Sequence, residues 1–146
     1  MRSCNMNTFF QRMNDDANIQ SSADLFIQPG CHSIYGVGGS VKTSFASRAI
    51  MAAGKPALII VPSKEQETAW QTDLQFFAPE LPVYTFPLGD RAVFSTTAKS
   101  MERTARQMEV LAALCSHAFC AVIATIEESA QPVTAPEHVK DRKSVV

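Results

Sequence analysis

The feature that most constrains the fold is an unbroken apolar run, Pro-Ala-Leu-Ile-Ile-Val, at residues 56–61. A strand with one face in water alternates apolar and polar residues, whereas a strand covered on both faces stays apolar throughout. The run therefore predicts a strand that is covered on both faces, as in a parallel sheet. A second apolar run at residues 118–125 predicts another strand of the same kind.

Helical segments alternate with the strands between residues 31 and 130. The predicted strands are residues 31–35, 56–61, 83–86 and 118–125, and the predicted helices are residues 42–53, 64–78 and 100–116. This alternation predicts an α/β fold of three layers, in which a mostly parallel sheet is flanked by helices. Gly54 is expected to end the first helix and Ser63 to cap the start of the second.

The length of 146 residues fits one domain. Residues 1–30 are expected to form an N-terminal helix, near residues 8–19, followed by a connecting segment from residue 21. Residues 131–146 are expected to be a linker or the start of a further domain. Residues 141–146 match the translation of a common sequencing adapter, so we interpret them as a cloning or assembly scar.

Composition excludes several classes of function. The chain has 13 basic and 14 acidic residues, whereas a dedicated nucleic-acid-binding protein usually has a strong basic excess. Its apolar runs are shorter than the ~18 residues that span a bilayer, so we expect a cytoplasmic protein with no membrane partner. Its four cysteines and three histidines have no metal-ligand spacing. We therefore expect no metal site and reduced, mostly buried thiols.

One segment carries recognisable chemistry, Gly-Val-Gly-Gly-Ser-Val-Lys-Thr at residues 36–43. It resembles the phosphate-binding loop G-x-x-x-x-G-K-[ST], which lies between a strand and a helix. In that loop backbone N–H groups hold phosphates, the lysine meets the β- and γ-phosphates, and the hydroxyl meets Mg²⁺. The residues that would bind a nucleotide here are Gly36, Gly38, Gly39, Ser40, Lys42 and Thr43.

The segment departs from the motif at Val41, which stands where the motif has its second glycine. A β-branched side chain is stiff and bulky beside a phosphate. A catalytic loop also needs an acidic residue at the end of another strand to hold Mg²⁺, and Glu127 and Glu128 are expected instead to begin a solvated helical turn. The sequence favours a glycine-rich turn without nucleotide and without a catalytic residue, and nucleotide binding is the alternative.

The other polar and aromatic candidates are interpreted as structural. His32 is expected to pack within the first strand, and Trp70, Phe76 and Phe77 to pack in or near the core rather than to stack on bases. A solvated surface is expected for Lys64, Glu65, Glu67, Arg103 and Arg106.

Three segments in order along the chain resemble the N-terminal region of bacterial transcription-repair-coupling factors: residues 34–43, 55–61 and 73–83. That region is itself similar to the first domain of the excision-repair protein UvrB. The resemblance continues through Phe86-Pro87, Phe94-Ser95, Glu102-Arg103 and residues 122–125, and covers residues 31–136. Coupling factors differ from UvrB in a degenerate phosphate loop and a shorter connection after the third strand, as here. The chain departs from the family at residues 88–98, where the usual acidic and aromatic residues are missing.

The resemblance implies a P-loop, RecA-like fold for residues 31–130. It implies a fragment of an ATP-dependent DNA translocase that releases stalled RNA polymerase and recruits UvrA for nucleotide excision repair. ATP, Mg²⁺ and DNA would belong to the missing motor domains, so this fragment is expected to be a non-catalytic scaffold that needs no cofactor. The alternatives are a functional nucleotide-binding domain of a UvrB-like helicase and, more weakly, a stand-alone DNA-binding fragment.

Overall fold

The computed structural model describes residues 21, 24, 27–87, 97–116 and 118–133. The elements in chain order are α1 (Ser40–Ala53), β1 (Ala57–Val61), α2 (Lys64–Phe77), β2 (Val83–Thr85), α3 (Thr97–Cys115), β3 (Ala121–Thr125) and α4 (Ile126–Ser129). The predicted helix near residues 8–19, residues 88–96 within the segment that departs from the family, and residues 134–146 lie outside the described residues.

The three strands form one parallel sheet in the order β1-β3-β2. Ala57 of β1 and Val83 of β2 both align with Ala121 of β3, so β3 is the central strand. All five residues of β3 are buried. The predicted α/β architecture, a parallel sheet flanked by helices, is confirmed.

Two apolar clusters lie on opposite faces of the sheet. The first joins Ile50 of α1 and Leu74 of α2 to Ile123 of β3. The second joins Val110 of α3 to Val122 of β3. Because successive residues of a strand point to opposite faces, β3 contributes to both clusters, and the helices form the outer two of three layers.

The predicted helix caps are confirmed. Gly54 has a left-handed φ of 60°, and its N–H donates to the Ile50 carbonyl at 3.1 Å. Ser63 caps α2 because its hydroxyl accepts a hydrogen bond from the Gln66 N–H at 3.4 Å. These local bonds satisfy backbone groups that a helix end leaves without an intrahelical partner.

Helix α3 differs in detail from its prediction. It begins at Thr97 rather than at Ser100. The spacing of apolar residues predicts a buried face of Ala105, Met108, Leu111, Ala112 and Cys115, but Ala105 is exposed and, among the described side chains of the helix, the buried one is Val110. Although α3 has 19 residues, none of the helices in the described part of the chain is long and apolar enough to cross a membrane.

The predicted first strand, residues 31–35, is wrong. These residues have no strand conformation and are exposed, with Tyr35 exposed over 88% of its surface. The segment offers a sheet only Ile34 and Tyr35 as large apolar side chains, too few to bury it against the helices. The predicted connecting segment is also partly wrong, since Ser21, Asp24 and Ile27 have helical conformation.

Strand β1 is covered on one face only, contrary to the prediction from its apolar run. Val61 is buried and Ile59 packs against the first cluster, whereas Leu58 and Ile60 are 57% and 55% exposed. β1 lies at the edge of the sheet, and α3 packs over β3 and β2 instead. The same kind of run predicts full coverage correctly for β3.

We expect a buried residue of the central strand and an exposed residue of the edge strand to respond differently to truncation. Ile123→Ala removes a fully buried side chain from the first cluster and should lower the free energy of unfolding by about 2–5 kcal/mol. Ile60→Ala, on the exposed face of β1, should cost about 1 kcal/mol or less. Urea unfolding followed by circular dichroism measures both, and equal losses would contradict this packing.

Candidate functional site

The glycine-rich segment leads directly into α1. Gly36 and Gly39 have φ of 79° and 56°, a left-handed conformation that suits glycine. Gly39 is the N-cap of α1 and provides no side-chain cap. A Cβ added at Gly36, Gly38 or Gly39 would meet nothing within 4 Å. Backbone conformation, rather than close packing, therefore requires glycine at residues 36 and 39.

A phosphate-binding loop is held at the end of a strand, and this segment is not. Residues 31–35 pair with no described strand. The exposed members of the segment include Gly36, Gly38, Gly39 and Ser40. The strand that precedes the loop in the phosphate-binding motif is therefore not present at residues 31–35.

Lys42 lies against an aromatic ring of the neighbouring helix. Its Nζ is 5.7 Å from the centroid of the Trp70 ring on α2, a cation–π geometry that contributes about 0.5–2 kcal/mol. Thr43, the other expected ligand, is only 1% exposed. The structure thus brings Lys42 to Trp70, and it buries the residue that was expected to present its hydroxyl to Mg²⁺.

Val41, the residue that breaks the motif, lies in the first turn of α1 with 47% of its surface exposed. Its isopropyl group therefore occupies the solvent side of the helix start. A glycine would be accommodated at the same place, because nothing in the core depends on this side chain.

A second group of polar side chains lies at the carboxyl ends of the neighbouring parallel strands β1 and β3. Lys64, the first residue of α2, contacts Glu67 Oε2 through its Nζ at 2.8 Å and forms an ion pair with Glu128 Oε1. Glu128 is fully buried, whereas the Lys64 side chain is 57% exposed. We call Lys64, Glu67 and Glu128 the charged cluster.

Glu128 is also half of a capping box at the start of α4. The Thr125 N–H donates to Glu128 Oε2 at 2.7 Å, and the Glu128 N–H donates to the Thr125 hydroxyl at 3.3 Å. The predicted helical turn is confirmed and Glu127 is exposed, but the predicted solvation of Glu128 is wrong. The pattern T-x-x-E after an apolar run is the signal that could have identified this residue.

The charged cluster shifts the titration of its members in different directions. Burial would raise the pKa of Glu128, but the hydrogen bonds from Lys64 and Thr125 outweigh it and lower that pKa. Burial opposes the ammonium of Lys64, yet its hydrogen bonds to both glutamates raise its pKa. The pKa of Glu67 is raised, chiefly by burial and then by the Glu128 carboxylate. The cluster therefore favours ionised Glu128 and protonated Lys64.

The contacts of Glu128 join the end of β3 to the start of α2. Glu128 Oε1 forms the ion pair with Lys64, and Oε2 accepts a hydrogen bond from the Thr125 N–H. Lys64, Glu65 and Glu67 were predicted to lie on the surface. Lys64 and Glu65 are exposed, but Glu67 is buried, so the prediction is wrong for Glu67. Among the described residues no group of three or more His, Cys, Asp or Glu side chains could hold a metal ion.

The remaining candidates lie on the surface. His32 is exposed, and its Nε2 lies 3.2 Å from the Gln28 carbonyl oxygen, so its predicted packing is wrong. Arg103 and Arg106 occupy the predicted exposed helix face, where Arg106 Nη2 contacts Glu102 Oε1 at 2.8 Å. Phe76 is 56% exposed at the edge of α2.

The described cysteines are Cys31, Cys115 and Cys120, and all three are thiols without a disulfide. Cys31 is exposed and Cys115 half-buried, so the prediction of mostly buried thiols holds fully only for Cys120. Burial raises the pKa of the Cys120 thiol. A raised pKa lowers the thiolate fraction of Cys120 and with it the reactivity of the thiol.

Comparisons with known proteins assign no family. Searches of protein-family models, curated proteins and solved structures found no match to this chain.

We expect Glu128→Gln to destabilise the fold while Glu127→Gln does not. The first change removes the charge that pairs with Lys64 and weakens the capping box, which should cost about 1–3 kcal/mol. The second makes the same chemical change on the adjacent exposed residue and should cost about 0.5 kcal/mol or less. Equal losses in urea unfolding would show that the charged cluster does not stabilise the fold.

The effect of Glu128→Gln should depend on pH. The folded-state pKa of Glu128 is lowered, so ionisation stabilises the fold above the unfolded pKa of about 4.3. That stabilisation is lost as pH falls through the folded pKa. The difference in unfolding free energy between the wild type and the variant should therefore be largest near neutral pH and shrink in acid. A difference that stays constant, measured by urea unfolding across this range, would contradict the assignment.

Proposed function

We propose that this chain is a non-catalytic scaffold and interaction module, the N-terminal UvrB-like domain of a bacterial transcription-repair-coupling factor. The observation that carries the non-catalytic part is the position of Lys42, whose ammonium lies 5.7 Å from the Trp70 ring centroid. The ordered sequence resemblance supports the family. The parallel sheet flanked by helices agrees with the proposed RecA-like fold.

The contact of Lys42 opposes nucleotide binding in energetic terms. A lysine that moves to a phosphate gives up its cation–π contact, about 0.5–2 kcal/mol. Thr43 would also have to leave the interior, because it is 1% exposed. Each rearrangement subtracts from the affinity that a triphosphate could obtain.

The end of β3 supplies no carboxylate for Mg²⁺. Glu127 and Glu128 follow that strand, but Glu128 is buried and bonded to Lys64 and Thr125. To hold a metal ion it would have to lose both partners. Glu127 is exposed beside it, and among the described residues it belongs to no group of three or more His, Cys, Asp or Glu side chains that could hold a metal ion.

In this proposal the activity belongs to the rest of a larger cytoplasmic protein. That protein would hold ATP and Mg²⁺ in a motor elsewhere, move on DNA, release stalled RNA polymerase and recruit UvrA. The domain described here would provide a rigid α/β scaffold within the UvrB-like part.

Nucleotide binding is the second candidate, and one observation favours it. Helix α1 has no side-chain cap and no acidic residue in its first turn. The positive end of a helix dipole with unpaired N–H groups attracts phosphate. The open side of the glycine-rich segment leaves room for a phosphate there.

Calorimetric titration with magnesium ATP separates the two candidates. We expect no measurable heat of binding for the wild-type chain or for Lys42→Ala, and no ATPase activity. We also expect no measurable heat of binding for Val41→Gly, because restoring the motif glycine leaves Lys42 at Trp70 and Thr43 buried.

Lys55→Ala is the matched control, since it removes a lysine just beyond the far end of α1. Micromolar binding that Lys42→Ala abolishes and Lys55→Ala preserves would overturn the scaffold proposal. It would establish the nucleotide-binding alternative.

A further inference from the structure

The outer edge of β1 has backbone groups that no described strand pairs. β1 aligns with β3 along one edge, where the Ala57 N–H donates to the Cys120 carbonyl at 2.9 Å. Alternate residues of a strand direct their N–H and C=O groups to opposite edges. Leu58 and Ile60 therefore direct theirs outward, and within the described part of the chain β1 has no second neighbour.

Within Ala57–Val61 this edge carries none of the features that usually prevent strand addition, and Lys55 and Pro56 stand directly before it. Edge strands in natural proteins usually carry a lysine, a proline or a bulge. β1 reads Ala-Leu-Ile-Ile-Val, and it leaves more than half of Leu58 and Ile60 exposed. Such an edge is a template for another extended chain.

A groove of about 540 Å³ runs between α1 and this edge. On the helix side the groove is lined by the small side chains of Ala46, Ala49 and Ala53 and by the larger ones of Phe45 and Ile50. On the strand side it is lined by Ala57, Leu58 and Ile59. The alanines leave room for side chains of an added strand on the same face as Ala57 and Ile59.

The charges of the groove indicate what fills it. Lys42 and Lys55 line it near opposite ends of α1, and none of the described residues that line it carries a carboxylate. Residues 42 to 53 of a helix span about 17 Å. An extended strand covers that length with about five residues. The complementary occupant is an apolar strand of that length with a carboxylate at each end.

We propose that this groove binds an extended segment of a partner protein, about five residues long and flanked by acidic side chains, which adds a strand to the outer edge of β1. A second copy of this chain is a poorer occupant. Its own β1 has no carboxylate and is preceded by Lys55, so it would bring a lysine, and no acidic side chain, to the lysines of the groove. The proposal goes beyond the scaffold function and does not depend on the family.

The chain carries its own reporter for this groove, because Trp70 lines it and is the single tryptophan of the sequence. The probe is a blocked synthetic peptide, Glu-Val-Thr-Val-Thr-Val-Glu. The control peptide has lysine in place of both glutamates. We expect the acidic peptide to change Trp70 emission saturably, and the basic peptide to bind about tenfold more weakly or worse.

Two substitutions at one position test the added strand itself. Ile60→Pro removes the N–H that points outward and leaves the bonds to β3, so affinity should fall about tenfold or more. Ile60→Thr keeps the N–H and should bind within about threefold of wild type. Circular dichroism checks that both variants fold.

Lys55→Glu keeps the test decisive if Ile60→Pro fails to fold. This charge reversal should weaken the acidic peptide and strengthen the basic one. No saturable change in emission, equal binding of both peptides, or equal affinity of the two Ile60 variants would overturn the proposal. A dimer by light scattering, with an emission change that needs no peptide, would also overturn it, in favour of a second copy.

Discussion

The burial of β3 is the constraint on which the rest of the structure depends. Its five residues are buried, and both of its edges pair with parallel strands. Val122 and Ile123 point to opposite faces, so one strand holds two helical layers together. The strand ends at Thr125, whose backbone and hydroxyl engage Glu128. The central strand therefore also fixes the charged cluster, and through Lys64 it fixes the start of α2.

Local signals predicted the features that depend on a few neighbouring residues. Gly54 and Ser63 end and begin their helices because a left-handed turn and a side-chain cap are decided within four residues. The burial of Glu128 was missed for the opposite reason. Its T-x-x-E pattern is local, but Lys64, which makes a buried carboxylate tolerable, lies 64 positions earlier in the chain.

The position of a strand in the sheet is also not predicted by its apolar run. β1 is apolar throughout and β3 is apolar up to Thr125, yet β1 lies at an edge and β3 at the centre. Coverage of Leu58 and Ile60 depends on which elements pack beside them, and that is decided by the whole topology. The failed strand at residues 31–35 follows the same logic. Residues 31–35 have few large apolar side chains, and whether those suffice for a strand depends on its position in the sheet, which the sequence did not specify.

Lys42 connects the glycine-rich segment with the groove. It belongs to the degenerate motif by sequence, but its ammonium lies over Trp70, and both residues line the groove. The Lys42 ammonium cannot bind a phosphate at the glycine-rich segment and a carboxylate in the groove at the same time. An acidic segment bound beside β1 would hold Lys42 away from the loop, and a bound phosphate would weaken that end of the groove. Because such coupling is reciprocal, a segment bound in the groove would weaken phosphate binding at the loop by the same factor by which bound phosphate would weaken binding of the segment.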